Sequence, residues 1–114
     1  MAAAISCAND PCDRGEIDIL LGTRDGQVIR GTPLPTPRLA NWLLAVDLNL
    51  DGRLDLVTGN ACSFSYECTD GSVSVFLGNG DGTFDARGAV FQGQQISGLT
   101  KGDFNSDARP DLAI

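Results

Sequence analysis

The sequence contains no histidine, and only one methionine, one tryptophan and one tyrosine among its 114 residues. Without histidine the commonest general acid–base group at neutral pH is missing, and no imidazole is available to activate a serine or cysteine nucleophile. Catalysis is therefore not expected. Basic residues are also scarce, with 8 lysines and arginines against 15 acidic residues and a net charge of −7. Such a surface repels phosphate backbones and anionic bilayers, which excludes nucleic acid and membranes as main partners and favours cations. No apolar run approaches the roughly 18 residues that a spanning helix needs. The opening Met1–Ser6 lacks the basic start and longer apolar stretch of a signal peptide.

What is present points to strands. Fourteen glycines and five prolines are scattered among short runs of Val, Leu, Ile and Phe, the hydrophobic content is 42%, and no long stretch follows the helical period. The fold class expected is all-β. Shifting the sequence against itself by 56 residues superposes Cys12 on Cys68, Gly15 on Gly71, Leu21 on Leu77, Gly22 on Gly78 and Asp25-Gly26 on Asp81-Gly82. The match continues without a gap through Leu43 and Leu99, Asp47 and Asp103, and Leu56 and Leu112.

A fixed period above 40 residues filled with short strands is the mark of β-propeller blades, each a sheet that buries its faces against its neighbours. The strands of one period are expected near Leu39–Leu48, Leu54–Asn60, Ser72–Gly78 and Thr83–Phe91. Ile17–Leu21 and Val73–Leu77 are expected to enter hairpins whose tips, Arg24-Asp25-Gly26 and Asn79-Gly80-Asp81-Gly82, supply residues that accept positive φ. Turn chemistry accounts for these tips better than ligand binding does.

The acidity is concentrated, since six of the acids are Asp47, Asp51, Asp55, Asp103, Asp107 and Asp111. Asp47, Asn49, Asp51 and Asp55 occupy positions 1, 3, 5 and 9 of a loop, and Asp103, Asn105, Asp107 and Asp111 repeat that pattern. Alternate residues of a tightly curled loop can turn several oxygens toward one centre, the donor set that calcium takes, with the carbonyls of Arg53 and Arg109 expected as backbone ligands. Without a cation the crowded carboxylates would repel one another. An EF-hand or dockerin loop requires an acid at position 12, where this chain has Thr58 and Ile114, and both are excluded. In the second loop Ala108 replaces the glycine that suits the sharp turn, so the second site is expected to be the weaker.

Two pairs of segments carry a family resemblance. VDLNLDGRLDLVTGN (Val46 to Asn60) pairs with GDFNSDARPDLAI (Gly102 to Ile114), and GSVSVFLGNGDGTF (Gly71 to Phe84) with GEIDILLGTRDGQV (Gly15 to Val28). In these the chain resembles the FG-GAP/VCBS repeats of integrin-α-like propellers. The resemblance implies blades of four antiparallel strands, a calcium loop between the first and second strand, and a ring of six to eight blades. Members include lectins, adhesion receptors and accessory modules of secreted enzymes, so the fold leaves function open.

The repeats are expected at residues 3–58, beginning mid-blade, and 59–114, ending mid-blade, with Ala3 as the aligned continuation of Ile114. That register suggests either a piece trimmed from a longer propeller or copies joined head to tail into a ring, three giving six blades and four giving eight. Cys7 and Cys12, and Cys62 and Cys68, lie in equivalent connections. Four cysteines allow three pairings. Equivalent placement favours Cys7 with Cys12 and Cys62 with Cys68, while a zinc site competes poorly without histidine. Disulfides imply an oxidising compartment, and hence export as part of a longer or exported chain. A calcium-dependent scaffold or interaction module needs the fewest assumptions; a carbohydrate-binding lectin is the alternative, and an accessory fragment of a secreted enzyme a further one. Candidate sugar-facing rings are Phe64 and Tyr66, between two cysteines, and Trp42, which in its apolar strand reads first as core.

Overall fold

A computed structural model describes residues 2–7, 14–60 and 70–114, with only the backbone described for residues 2–5 and Cys7. Ten strands follow in order: β1 Ala2–Cys7, β2 Gly15–Gly22, β3 Val28–Arg30, β4 Leu34–Thr36, β5 Ala40–Val46, β6 Asp55–Asn60, β7 Gly71–Gly78, β8 Phe84–Gly93, β9 Thr100–Gly102 and β10 Asp111–Ala113. No helix occurs among the described residues. The chain is all-β, and every ladder is antiparallel.

The strands form three sheets. The first is β1-β2-β3 with β4 also paired to β2, the second is the meander β5-β6-β7-β8, and the third is the pair β9-β10. The four strands expected from one sequence period coincide with β5 to β8 to within two residues at each end. Register repeats with the sequence. Val46 pairs with Asp55 and Leu44 with Val57, and at the same 56-residue offset Gly102 pairs with Asp111 and Thr100 with Ala113. Likewise Gly78 faces Phe84 as Gly22 faces Val28.

The fourth strand is where the repeats diverge. In the second sheet β8 stays continuous by absorbing two register shifts against β7, one of them beside Gly88, whose φ of 74° is natural only to glycine. In the first sheet its counterpart breaks into β3 and β4 around Gly31, Thr32 and Pro33. Pro33 and Pro35 have no N–H for a ladder, and Pro35 is accommodated because β4 is an edge strand.

The inner strands β6 and β7 of the second sheet are buried on both faces, to which their side chains point alternately, while β8 is largely exposed. Leu56 and Phe76 on one face join Ile17, Ile19 and Leu34 of the first sheet, with Leu21, Leu43 and Phe84 packed around them. On the other face Val46, Val57, Val73 and Val75 meet Ile96, and Leu99 and Leu112 flank them from the β9-β10 side. All six residues of β6 are therefore buried. Its polar members are paired within the sheet. Thr58 Oγ1 donates to Asn60 Oδ1 at 3.0 Å, and Asn60 Nδ2 donates to Ser72 Oγ at 3.0 Å and Ser74 Oγ at 2.9 Å. Among the described residues no buried side-chain polar atom lacks a partner.

On β2, β1 takes the place that β6 takes on β7. Ala2 pairs with Leu20 and Ile5 with Ile17, as Leu56 pairs with Phe76 and Gly59 with Val73. Leu20 and Ile17 are the sequence equivalents of Phe76 and Val73. Ladder register thus puts Ile5 at the Gly59 place, whereas the bare 56-residue offset puts Ala3 there.

Candidate functional site: two acidic loops

The first acidic loop joins β5 to β6 and the second joins β9 to β10. Aspartate and asparagine accept hydrogen bonds from backbone N–H groups two residues ahead, which curls a chain that carries them at alternate positions. In the first loop the N–H of Asp51 donates to Asp47 Oδ1 at 3.0 Å and to Asn49 Oδ1 at 3.2 Å. The N–H of Gly52 donates to Asp47 Oδ2 at 2.8 Å, and that of Arg53 to Asp51 Oδ1 at 2.9 Å. Asn49 Nδ2 closes the ring of contacts on Asp51 Oδ2 at 3.0 Å.

The second loop repeats these bonds one for one. The N–H of Asp107 donates to Asp103 Oδ1 and Asn105 Oδ1, both at 3.1 Å. That of Ala108 donates to Asp103 Oδ2 at 2.9 Å, that of Arg109 to Asp107 Oδ1 at 2.8 Å, and Asn105 Nδ2 to Asp107 Oδ2 at 3.2 Å. The curl needs left-handed backbone at two places, Leu50 and Gly52 at φ 59° and 82°, and Ser106 and Ala108 at 64° and 65°. At the second of these places glycine is unstrained, while alanine carries a Cβ that costs roughly 1–2 kcal/mol.

The last acid of each loop has a separate task. Asp55 is fully buried, and its Oδ2 accepts from the Leu48 N–H at 2.8 Å while its Oδ1 accepts from the Gly78 N–H at 2.9 Å. One carboxylate therefore ties the loop to the far end of β7. Gly78 is glycine because that approach is so close: a Cβ there would lie 2.1 Å from the Leu54 carbonyl oxygen. Asp111 makes the first of these bonds, from the Phe104 N–H at 2.8 Å, but has no counterpart to the Gly78 donor among the described residues.

All ten residues expected at the metal sites thus lie in two matching loops. Asp47, Asn49, Asp51, Asp103, Asn105 and Asp107 curl the loops through hydrogen bonds; Asp55 and Asp111 brace them from the following strand. Arg53 and Arg109 enter these bonds through their N–H groups, and the Arg53 guanidinium stands 4.0 Å from Asp51 Oδ2. Among the described residues no three acidic groups converge at metal-ligand spacing. The donors are nonetheless all hard oxygens, and each carboxylate oxygen engaged by one N–H keeps a second lone pair.

The other candidates are dispersed. Trp42 is 43% exposed on β5 rather than core, lying against Gly59, where a Cβ would come within 3.3 Å of it and 2.7 Å of Ile96. Cys12, Cys62, Phe64, Tyr66 and Cys68 lie outside the described residues, and of Cys7 only the backbone is described. The tips at Asp25 and Asp81 are hairpin turns. Thr83 donates to Asp81 Oδ1 through its N–H at 2.9 Å and its Oγ1 at 2.6 Å, and Thr23 Oγ1 bonds Asp25. Those threonine bonds hold both carboxyls below the usual aspartate range.

Two features escaped the sequence reading. One is the Asp55–Gly78 tie, whose only linear signal is a glycine at both Gly22 and Gly78. The other is a cleft of 760 Å³ between the first sheet and the first acidic loop, walled by Leu21, Ile29, Arg53, Leu54, Asp81 and Phe84. It arises from the packing of three segments distant in sequence, the β2–β3 hairpin, the first acidic loop and the β7–β8 turn.

Comparison with known proteins bears on the second half of the chain. No solved structure matches it significantly. Residues 61–114 match the model of a family described as FG-GAP-like repeat, a span that includes the second acidic loop and leaves the first just ahead of it. The bond-for-bond correspondence of the loops and the repeated ladder register agree with that match, and residues 61–114 are similar to the FG-GAP-like repeat family.

Proposed function

We propose that the chain is a calcium-binding unit of a β-propeller, acting as a binding and scaffold module rather than an enzyme. The observation that carries this reading is the identity of the two acidic loops, which share sequence spacing, backbone conformation and hydrogen bonds at one ladder register. Asp47, Asn49, Asp51 and Asp55 would hold one calcium ion with the Arg53 carbonyl, and Asp103, Asn105, Asp107 and Asp111 a second, weaker one with the Arg109 carbonyl. The ion would replace mutual repulsion of the carboxylates with a shared centre and hold each loop closed. Its effect is structural.

The sheets would be blades. Burial of β6 and β7 on both faces supports this, because a blade needs a neighbour on each side. Three or four chains of 11.9 kDa would complete six or eight blades. Paired Cys7–Cys12 and Cys62–Cys68 would suit an exported protein. The test is calorimetric titration with calcium, backed by light scattering in calcium and in excess chelator. Two sites per chain, the tighter one abolished by Asp51→Ala, support the reading; no heat and no change in mass or unfolding temperature sink it.

The exposure of Trp42 favours a second reading, in which this ring offers a platform to a glycan. A glycan array with wild type and Trp42→Ala decides it. Hits lost on substitution support a lectin, and silence with wild type leaves the scaffold.

A further inference from the structure

The β7–β8 hairpin turns on Asn79-Gly80-Asp81-Gly82, and its counterpart between β2 and β3 on Thr23-Arg24-Asp25-Gly26. Both are closed by the same backbone bond, from the Asn79 N–H to the Thr83 carbonyl at 3.0 Å and from the Thr23 N–H to the Gln27 carbonyl at 2.9 Å. They differ in chemistry. Only the β7–β8 turn places an asparagine amide directly before a glycine, and it does so at an exposed loop tip. Gly80 has a φ of 83° and no Cβ to shield its nitrogen, whose N–H has no hydrogen bond among the described residues.

The other described asparagines are protected. Asn49 and Asn105 are held in the acidic loops by bonds at both ends of the amide, Asn60 is fully buried, and Asn41 precedes the bulky Trp42. The four Asp-Gly pairs offer a carboxylate, whose negative charge resists attack by nitrogen. Each is also engaged, Asp25 by Thr23, Asp51 by the Arg53 N–H, Asp70 by Arg38 and Asp81 by Thr83.

We propose that Asn79 is a site of spontaneous modification, at which the Gly80 nitrogen closes on the side-chain amide and the residue becomes aspartate or isoaspartate. The Gly80 nitrogen gives its proton to water and bonds to Asn79 Cγ, the Cγ–Nδ2 bond breaks, and Nδ2 leaves as ammonia with a proton taken from water. Water then opens the succinimide, at Cγ to leave aspartate or at the backbone carbonyl to leave isoaspartate. The turn carries its own brake. Asn79 Nδ2 donates to Thr83 Oγ1 at 3.1 Å, and Thr83 Oγ1 donates to Asp81 Oδ1 at 2.6 Å, which draws the amide across the turn toward Thr83. Conversion ends that link, since a carboxylate has no N–H to give. It also adds a negative charge next to Gly80 in the wall of the cleft, where the Arg53 side chain rests so close that a Cβ on Gly80 would lie 3.2 Å from its Cδ.

The experiment incubates the folded full chain at mildly alkaline pH and follows each asparagine by peptide mass spectrometry, with isoaspartate detected by enzymatic methylation. Asn79 should convert about tenfold faster than Asn41, Asn49, Asn60 or Asn105. Both products should appear. Conversion at Asn79 no faster than at the others overturns the site, and aspartate without isoaspartate overturns the succinimide route. Thr83→Val should speed conversion several-fold by freeing the amide, and Thr83→Ser, which keeps the hydroxyl, should stay near the wild-type rate. A Thr83→Val rate equal to that of wild type overturns the brake. Circular dichroism checks that both variants fold, and the wild-type chain alone tests the site.

Discussion

Asp55 and Asp111 end two loops with the same bonds and nearly the same sequence, yet one is fully buried and the other only partly so. The difference lies outside the loops. Asp55 has β7 beside it and spends its second oxygen on Gly78; among the described residues Asp111 has β9 alone beside its strand. The same contrast shows at the second loop position, where Leu48 packs against the core and Phe104 is 62% exposed. A loop of this kind is thus locally self-sufficient in shape, and the neighbouring strand decides how much it contributes to stability.

The sharpest way to break that comparison is to remove both carboxylates in turn. Asp55→Ala leaves two backbone N–H groups without an acceptor, the Gly78 one buried, and should cost roughly 3–5 kcal/mol, against about 1 kcal/mol or less for Asp111→Ala. Urea unfolding of the two variants reads the gap, and equal losses would refute the role of the third strand. Asp55→Asn should fall between them.

The glycines offer a second contrast of nearly the same size. Gly78→Ala drives a methyl into the Leu54 carbonyl and should destabilise by several kcal/mol, whereas Gly22→Ala should stay within about 0.5 kcal/mol in the single chain. Thermal unfolding at low protein concentration checks both.

Calcium sharpens the comparison of the loops themselves. At a free concentration a hundredfold above the dissociation constant, one filled site should add about 2.7 kcal/mol to stability, an increment lost in chelator. Asp51→Asn should remove more of it than Asp107→Asn. Ala108→Gly relieves the left-handed strain at φ 65° and should bring the second loop toward the first, by about 1 kcal/mol in unfolding and a several-fold gain in titrated affinity.

The smallest effect expected is at the β7–β8 turn. Asp81 titrates below its ordinary value because Thr83 donates to it. Its folded-state value therefore lies below its unfolded one. The stabilisation it gives is fully present above the unfolded value and is lost as pH falls through the folded one. Thr83→Val should move the Asp81 titration upward in an NMR pH series while hardly changing stability at neutral pH.

Much of this was legible in the linear chain. Strands β5 to β8 were readable from short apolar runs bounded by Asn-Gly and Asp-Gly, because those turn residues act locally and need no tertiary support. Both acidic loops were readable for the same reason, as their bonds reach only a few residues. Trp42, read from its apolar strand as core between blades, is 43% exposed in the single chain, since a strand residue's burial depends on what covers its face. The true register of β1 was not readable either. Its sequence differs from that of β6, and only its ladder with β2 reveals the shift of two residues.

The sequence by itself determined the all-β class, the 56-residue period, the hairpin turns and the curl of the acidic loops, all set by backbone preferences and side-chain acceptors within a few residues. Tertiary structure alone decided that β6 and β7 are covered on both faces, that Asp55 reaches Gly78 across 23 residues, and that β1 pairs with β2 from Ala2–Leu20 to Cys7–Gly15. These depend on which segments meet in space, and burial and ladder register are properties of that meeting rather than of any one segment.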